Sequence, residues 1–234
     1  MARFSEEVCV TSLGLDAASG QMIVDEVSAV ARMAGLRTGQ TGCSPNLLVA
    51  FVADGQSTAL RLARAGAGAM RSQSLAAVKR IIGEAGQARA WIEVEPRGRD
   101  GERPIYSPDQ PTMIRGRSLS RLSSPVRMEI VSATVLIDRD AMQGRPLTQA
   151  AQYAAMRALT GAQGGGAAAG ESILSAFTSS DDVGAPKTLT ANDRGYLRGL
   201  YAGRGDIAGN LKFSSLVSYV LDERSSLPAG DRAR

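Results

Sequence analysis

The chain contains no histidine, and this absence limits the chemistry that its side chains can perform. Its 234 residues include two cysteines and no histidine. A Ser–His–Asp or Cys–His arrangement needs an imidazole base, and a cysteine zinc site needs ligands in close sets of two or more. No glycine-rich phosphate loop follows a predicted strand. We therefore expect neither a histidine-based hydrolase nor a bound cofactor.

Carboxylates are the remaining candidates for catalysis. Glu129, Asp138 and Asp140 lie on or just after a long β-like segment. Two carboxylates at a suitable separation can hydrolyse glycosidic bonds without histidine, and carboxylates also bind Ca²⁺ together with backbone oxygens. This pattern allows a hydrolase of cell-wall or extracellular polymers. The alternative is that Asp138 and Asp140 cap the strand end and its turn.

Arginines are concentrated in the segment 97–127. The candidate anion-binding residues there are Arg97, Arg99, Arg103, Arg115 and Arg117. They allow a basic surface that binds an anionic polymer, or a solvated loop beside a strand. The net charge is +4, and elsewhere basic and acidic residues are interspersed. We therefore do not expect a nucleic-acid partner, because dedicated nucleic-acid binders concentrate their positive charge more strongly.

The two cysteines lie at corresponding places in a predicted strand–helix–strand unit. Cys9 lies in the first strand, and Cys43 lies just before the second. A right-handed crossover returns the second strand beside the first, which can bring the two Cα atoms within the roughly 4.4–6.8 Å that a disulfide requires. Closing a loop of about 35 residues would stabilise the fold by about 3–4 kcal/mol. The alternative is two unpaired, buried thiols.

A disulfide would place the protein in an oxidising compartment, the periplasm or the cell exterior. The N-terminal residues have no apolar core of a signal peptide, so this interpretation requires a signal peptide that has been removed. Without the disulfide, the expectation is a cytoplasmic protein. No run of 18 apolar residues occurs, so we expect no membrane span.

Hydrophobic periodicity predicts a single α/β (α+β) domain with a mixed sheet of four to five strands packed against helices. Residues 6–95 form a strand–helix half, 96–125 a long loop or an excursion with a β-hairpin, 126–224 a strand followed by a mostly helical part, and 225–234 a tail. Strands are predicted at 6–13, 46–53, 90–95 and 126–138. Helices are predicted at 19–34, 72–83, 147–159, 171–176 and 213–223. Two more are predicted to begin after the N-caps Ser57 and Thr190.

Several segments resemble a family of secreted alphaproteobacterial proteins of unassigned function with a zincin-like, metalloprotease-like layout. The matching segments are 42–47, 135–138, 152–159, 172–174, 189–190 and 193–201. In zinc peptidases of this layout, the helix after the last long strand carries His-Glu-x-x-His.

The resemblance implies a scaffold that has lost its zinc motif. In the helix 147–159, Tyr153 and Arg157 stand at the two ligand places, and Ala154 stands at the place of the catalytic glutamate. The resemblance therefore implies a non-catalytic binding or assembly protein, whose partner is another protein or a component of the cell envelope. The alternative is an alanine-rich core helix in an unrelated α/β fold.

Overall fold

A four-stranded mixed sheet forms the centre of the fold, which confirms the predicted α+β class. The computed structural model describes residues 1–65, 70, 72–107, 110–114, 124–165, 170–178, 184–207 and 209–226. The strands of the sheet are β1 (Val10–Leu13), β2 (Leu47–Val52), β3 (Ala88–Gly98) and β6 (Val126–Asp138), in the spatial order β1-β2-β6-β3. The strands β1, β2 and β6 run parallel to one another, and β3 runs antiparallel to β6.

Helices cover both faces of this sheet. On one face lie α1 (Ala17–Met33) and α4 (Leu147–Thr160), and on the other lie α2 (Gly55–Arg64) and α3 (Leu75–Ile82). The side chains of β2 explain this arrangement, since Leu47, Val49 and Phe51 enter the core beneath α1 and α4 whereas Leu48, Ala50 and Val52 face the second cluster. Such period-two alternation of apolar residues on both faces is expected for a strand buried on both sides.

Two further helices form the C-terminal part. They are α5 (Ala191–Tyr201) and α6 (Gly209–Ser225), and α5 begins with a capping box between Thr190 and Asp193. Gly195 of α5 allows the two helices to approach closely, since a Cβ atom there would lie 2.5 Å from the Cα of Val220. The mostly helical C-terminal part is thus as predicted.

Several predicted boundaries need correction. The first strand begins at Val10, because the residues before it form only isolated bridges, between Val8 and Thr38 and between Arg3 and Glu129. Asp54, and not Ser57, caps α2, since its carboxylate accepts the backbone N–H of Ser57 at 3.0 Å.

The predicted long loop is partly ordered into strands. The strand β3 continues to Gly98, and the hairpin of β4 (Ile105–Ser107) and β5 (Gln110–Met113) follows it. The hairpin was one of the two structures predicted for 96–125. Short 3₁₀ turns occupy Arg139–Met142 and Ile173–Ser175, where the second replaces a predicted helix.

Cys9 and Cys43 form the predicted disulfide. Their Cα atoms are 6.0 Å apart, because the parallel pairing of β1 with β2 brings the loop before β2 back to the start of β1. Asn46 supports the same junction by accepting the backbone N–H of Cys9 at 2.8 Å. Within the described residues, no helix has the length and apolar character needed to cross a membrane.

Candidate functional site

The helix that would carry a zinc motif, α4, is buried along most of its length. Tyr153 and Arg157 are each 1% exposed, and Ala154 is fully enclosed. Arg157 donates from Nη1 to the hydroxyl of Tyr153 at 2.6 Å. Its Nη2 lies 2.8 Å from Oε1 and 2.9 Å from Oε2 of Glu84. The three side chains therefore form one buried polar network, which we call the Arg157 network.

The Arg157 network also fixes the loop that follows α4. The carboxylate of Glu84 accepts the backbone N–H of Gly164 at 3.0 Å. A Cβ atom at Gly164 would lie 2.8 Å from both the Tyr153 hydroxyl and Nη1 of Arg157, so a glycine is needed for this close approach. The ring of Tyr153 packs against Phe177 with 4.9 Å between centroids.

These residues do not fit a zinc ion. Arginine stays protonated in proteins and cannot donate a lone pair to a metal. Here the guanidinium of Arg157 already forms an ion pair with the carboxylate of Glu84. In the part of the chain that the structure describes, no three Asp, Glu or Cys side chains group as a metal site would require.

A groove lies beside the Arg157 network, along the outer edge of β3. Its volume is about 410 Å³, within the usual size range of ligand pockets. The edge of β3 supplies Ala90 and Ile92, α3 supplies Lys79 and Arg80, and the loop 161–164 supplies the opposite wall. We call this cavity the β3 groove.

The backbone of β3 is oriented so that alternate residues face the β3 groove. At the start of the strand, Asp138 donates its backbone N–H to the carbonyl of Gln87 at 2.9 Å. Inward-facing and outward-facing residues alternate along an antiparallel pair. Ala88, Ala90 and Ile92 therefore direct their N–H and C=O groups away from β6, and Ala90 and Ile92 do so into the groove.

Most of these outward-facing groups are free in the described part of the chain. The side-chain amide of Gln73 donates to the carbonyl of Ile92 at 2.9 Å and to Glu93 at 3.0 Å. No hydrogen bond within the described residues engages the N–H or C=O of Ala90 on this side. An exposed edge with free backbone groups is a template on which another strand can pair.

The charge of the β3 groove is positive. Lys79 and Arg80 are exposed and form no ion pair within the described residues, whereas Glu84 is neutralised by Arg157. Burial raises the pKa of Glu93, although its hydrogen bond with Gln73 lowers it in part. The groove therefore favours ligands that carry negative charge.

The three candidate acidic residues do not form one site. Glu129 and Asp138 are nine residues apart on β6, which corresponds to about 30 Å along an extended strand. Glu129 lies 3.3 Å from Arg127 and 3.9 Å from Arg97. Glu129 and Asp138 are therefore too far apart to act as a catalytic carboxylate pair.

Asp138 ties the end of β6 to α2. Its Oδ1 accepts the backbone N–H of Gly55 at 2.6 Å. Burial raises the pKa of Asp138, although the hydrogen bond from Gly55 and the charge of Arg89 lower it in part. Asp140 itself is exposed in the 3₁₀ turn after the strand. Asp138 therefore has a structural contact that links the strand end to α2, but its side chain makes no capping hydrogen bond to the 3₁₀ turn that follows.

The candidate anion-binding arginines do not form one exposed surface. Arg97 is 3% exposed and lies 2.9 Å from Glu95, and Arg99 lies 3.0 Å from Asp206. Arg103 is exposed. Arg115 and Arg117 lie outside the described residues.

Sequence reasoning missed two groups that the fold brings together. Glu84, the partner of Arg157, lies 73 positions away in the sequence. One signal was available, since an arginine on an alanine-rich helix needs a carboxylate partner if it is buried. Arg3 and Lys212 were also missed, and nothing in their local sequences indicates that they meet.

Comparisons with known proteins identified no relative. No protein-family model matches the chain. Searches of curated proteins and of solved structures also gave no significant match.

Proposed function

We propose that this protein is a non-catalytic binding protein of the periplasm or the cell exterior. In this proposal it has a zincin-like scaffold without a zinc site, and it binds an extended, acidic segment of a partner protein in the β3 groove. The observation that carries the proposal is the open edge of β3, where the backbone groups of Ala90 have no partner among the described residues and lie in a cavity with positive charge.

The Arg157 network supports a non-catalytic role. At the places where the resembling metalloproteases have zinc ligands, Tyr153 and Arg157 bond to each other and to Glu84. These contacts use the polar groups of the helix for structural cohesion, and they leave none of the three side chains as a free acid or base.

The disulfide supports the proposed compartment. Bonds such as Cys9–Cys43 persist in the periplasm and outside cells, whereas the cytosol of most organisms keeps thiols reduced. A thiol titration of protein purified from its own host, without reductant, tests this part. Two reactive thiols per unfolded chain would contradict it.

The geometry of the groove supports an extended peptide as the ligand. Added strands gain affinity from main-chain hydrogen bonds and specificity from pockets for alternate side chains. Each net hydrogen bond contributes about 0.5–1.5 kcal/mol. A strand bonded at Ala90 and at the N–H of Ile92, whose carbonyl already accepts from Gln73, would therefore bind weakly without further contacts. Lys79 and Arg80, on the α3 wall, would add attraction for acidic side chains.

A displayed library of random linear peptides, selected on the purified full chain, tests the proposal. We expect enrichment of peptides that alternate acidic and apolar residues. The key variant is Ala90→Pro, which removes the outward N–H but no bond to β6, with Ala90→Ser as the matched control. Proline should weaken the selected peptide at least tenfold, about 1.4 kcal/mol, and serine should not.

A charge reversal tests the orientation of the ligand. Lys79→Glu should weaken binding of the same peptide, whereas Lys187→Glu, on an exposed loop away from the groove, should not. Equal binding by Ala90→Pro and by the unchanged chain would contradict binding by strand addition. No enrichment of peptides at all would contradict the proposed ligand.

A further inference from the structure

A second cavity lies far from the β3 groove, between the N-terminal segment, the start of β6 and the region between α5 and α6. Its volume is about 260 Å³. The charged side chains that line it are Arg3, Arg127, Arg204 and Lys212, and no acidic residue is among its lining residues. We call it the Arg3 cavity.

Two of these cations are held by neutral groups alone. Arg3 donates to the carbonyl of Gly203 at 2.9 Å and makes longer contacts with the carbonyls of Leu200 and Tyr201, both at 3.4 Å. Lys212 is 7% exposed, and its Nζ donates to the carbonyl of Ala202 at 2.7 Å. Within the described residues, neither cation forms an ion pair.

The nearby carboxylates are each shared by two arginines. Asp206 lies 2.7 Å from Arg204 and 3.0 Å from Arg99. Glu129 is shared in the same way by Arg127 and Arg97. Arg97 also pairs with Glu95 at 2.9 Å. Positive charges still outnumber negative ones in this region, and Arg3 and Lys212 are the two cations without a carboxylate partner within the described residues.

Unused hydrogen-bond donors accompany this excess charge. The Nε atoms of Arg3 and Arg127 are buried and have no hydrogen-bond partner in the part of the chain that the structure describes. A buried donor without a partner costs about 1–3 kcal/mol, so such groups indicate a missing acceptor. The absence of a side chain at Gly205 leaves space beside Nε of Arg3, because a Cβ atom at this position would lie only 2.9 Å from that nitrogen.

The cations also raise one another's free energy. Burial lowers the pKa of Lys212 to about 8, and the charge of Arg3 contributes to this. Burial lowers the pKa of Arg3 as well, with Arg127 as the next largest cause. A bound anion would remove part of this unfavourable energy.

We propose that the Arg3 cavity binds a tetrahedral oxyanion of the phosphate or sulfate type. The cations come from four different parts of the chain, the N-terminal segment, β6, the turn after α5 and α6. Their donors therefore approach from several directions. A phosphate or sulfate group offers three or more acceptor oxygens in space, whereas a carboxylate offers two in one plane. The oxyanion is either a free ion or an ester group on a polymer.

Calorimetric titration of the full chain with inorganic phosphate and inorganic sulfate at low ionic strength tests this site. The variant is Lys212→Met, which keeps the length of the side chain and removes its charge. Lys187→Met is the matched control on an exposed lysine. We expect Lys212→Met to weaken binding at least tenfold and the control to leave it unchanged. Equal affinity of the two variants, or no binding of either ion to the unchanged chain, would overturn the proposal.

Two further measurements guard against a failure to fold and separate the sources of the oxyanion. Gly205→Ala keeps every charge but crowds Arg3, so it should also weaken binding while the melting temperature shows whether the fold persists. Titration with dextran sulfate, with neutral dextran as control, tests an ester on a polymer. Binding of the free ions alone assigns the site to a free ion, whereas a much higher affinity for dextran sulfate, lost in Lys212→Met, assigns it to a polymer.

Discussion

The Arg157 network gives the sharpest test of the structural interpretation of α4. Arg157 is 1% exposed and finds its only carboxylate partner within the described residues in Glu84. Glu84→Ala would leave a buried guanidinium without a counter-ion, which destabilises proteins by about 3–5 kcal/mol. The loss of the acceptor for Gly164 adds to this. Because total stabilities are about 5–15 kcal/mol, this single change should remove a large part of the stability.

Removal of Arg157 should lower the free energy of unfolding less than removal of Glu84. Arg157→Met removes the buried charge itself. The remaining charge, on Glu84, is closer to solvent than that of Arg157, because the Glu84 side chain is 13% exposed. The double variant Glu84→Ala with Arg157→Met should therefore be more stable than Glu84→Ala alone. A double-mutant cycle should give a coupling energy of about 2–3 kcal/mol, within the range measured for residues in contact.

Urea unfolding measures these differences. The single tryptophan, Trp91, lies on β3 and provides a fluorescence signal, which circular dichroism should match if unfolding is two-state. Additive effects of the two substitutions would refute the reasoning, since they would mean that Glu84 does not compensate the charge of Arg157. The stability of Glu84→Gln should lie between that of the unchanged chain and that of Glu84→Ala, because glutamine keeps a hydrogen-bond acceptor but loses the charge.

Three other predictions concern stability. Replacement of both Cys9 and Cys43 by alanine should lower the free energy of unfolding by about 3–4 kcal/mol, measured by denaturant titration without reductant. Lys212 loses its proton in the folded chain near pH 8 but keeps it in the unfolded chain up to its usual pKa of 10.5, so unfolding takes up a proton in between and stability should rise with pH. This rise should be absent in Lys212→Met. In the unchanged chain the rise should end near pH 10. Burial raises the pKa of Tyr201 in the folded chain, so above pH 10 the unfolded chain loses this proton first and is favoured. Gly195→Ala should separate α5 from α6 and cost about 1–3 kcal/mol, measured as a lower melting temperature.

The elements that carry strong local signals were predictable from the sequence. The strand Val126–Asp138 has the predicted bounds, and α4 differs from its prediction by one residue, because long β-branched runs and helical spacing of apolar residues are strong patterns. The disulfide followed from topology, since a crossover unit returns Cys43 to Cys9. The cap of α2 was misplaced because Asp54 and Ser57 are both good capping residues and only the fold selects one of them.

The candidate sites were less predictable because they depend on long-range contacts. Glu84 meets Arg157 only when the chain between α3 and β3 lies beside the end of α4. Arg3 reaches the carbonyl of Gly203 across 200 positions in the sequence. A local pattern of charges carries no information on such pairs. Glu129 and Asp138 lie on the same strand, and only its extended geometry shows that their carboxylates are too far apart to act together.

The spatial order of the strands has a consequence for how the protein can be made. The strand β6 lies between β2 and β3, although both precede it in the chain. During synthesis, β2 and β3 therefore emerge before β6, the strand that joins them, and each has one unpaired side until β6 is made. Unpaired edges make partly folded chains prone to aggregate. Completion of the sheet therefore depends on the late insertion of β6, its longest strand, between two strands made before it.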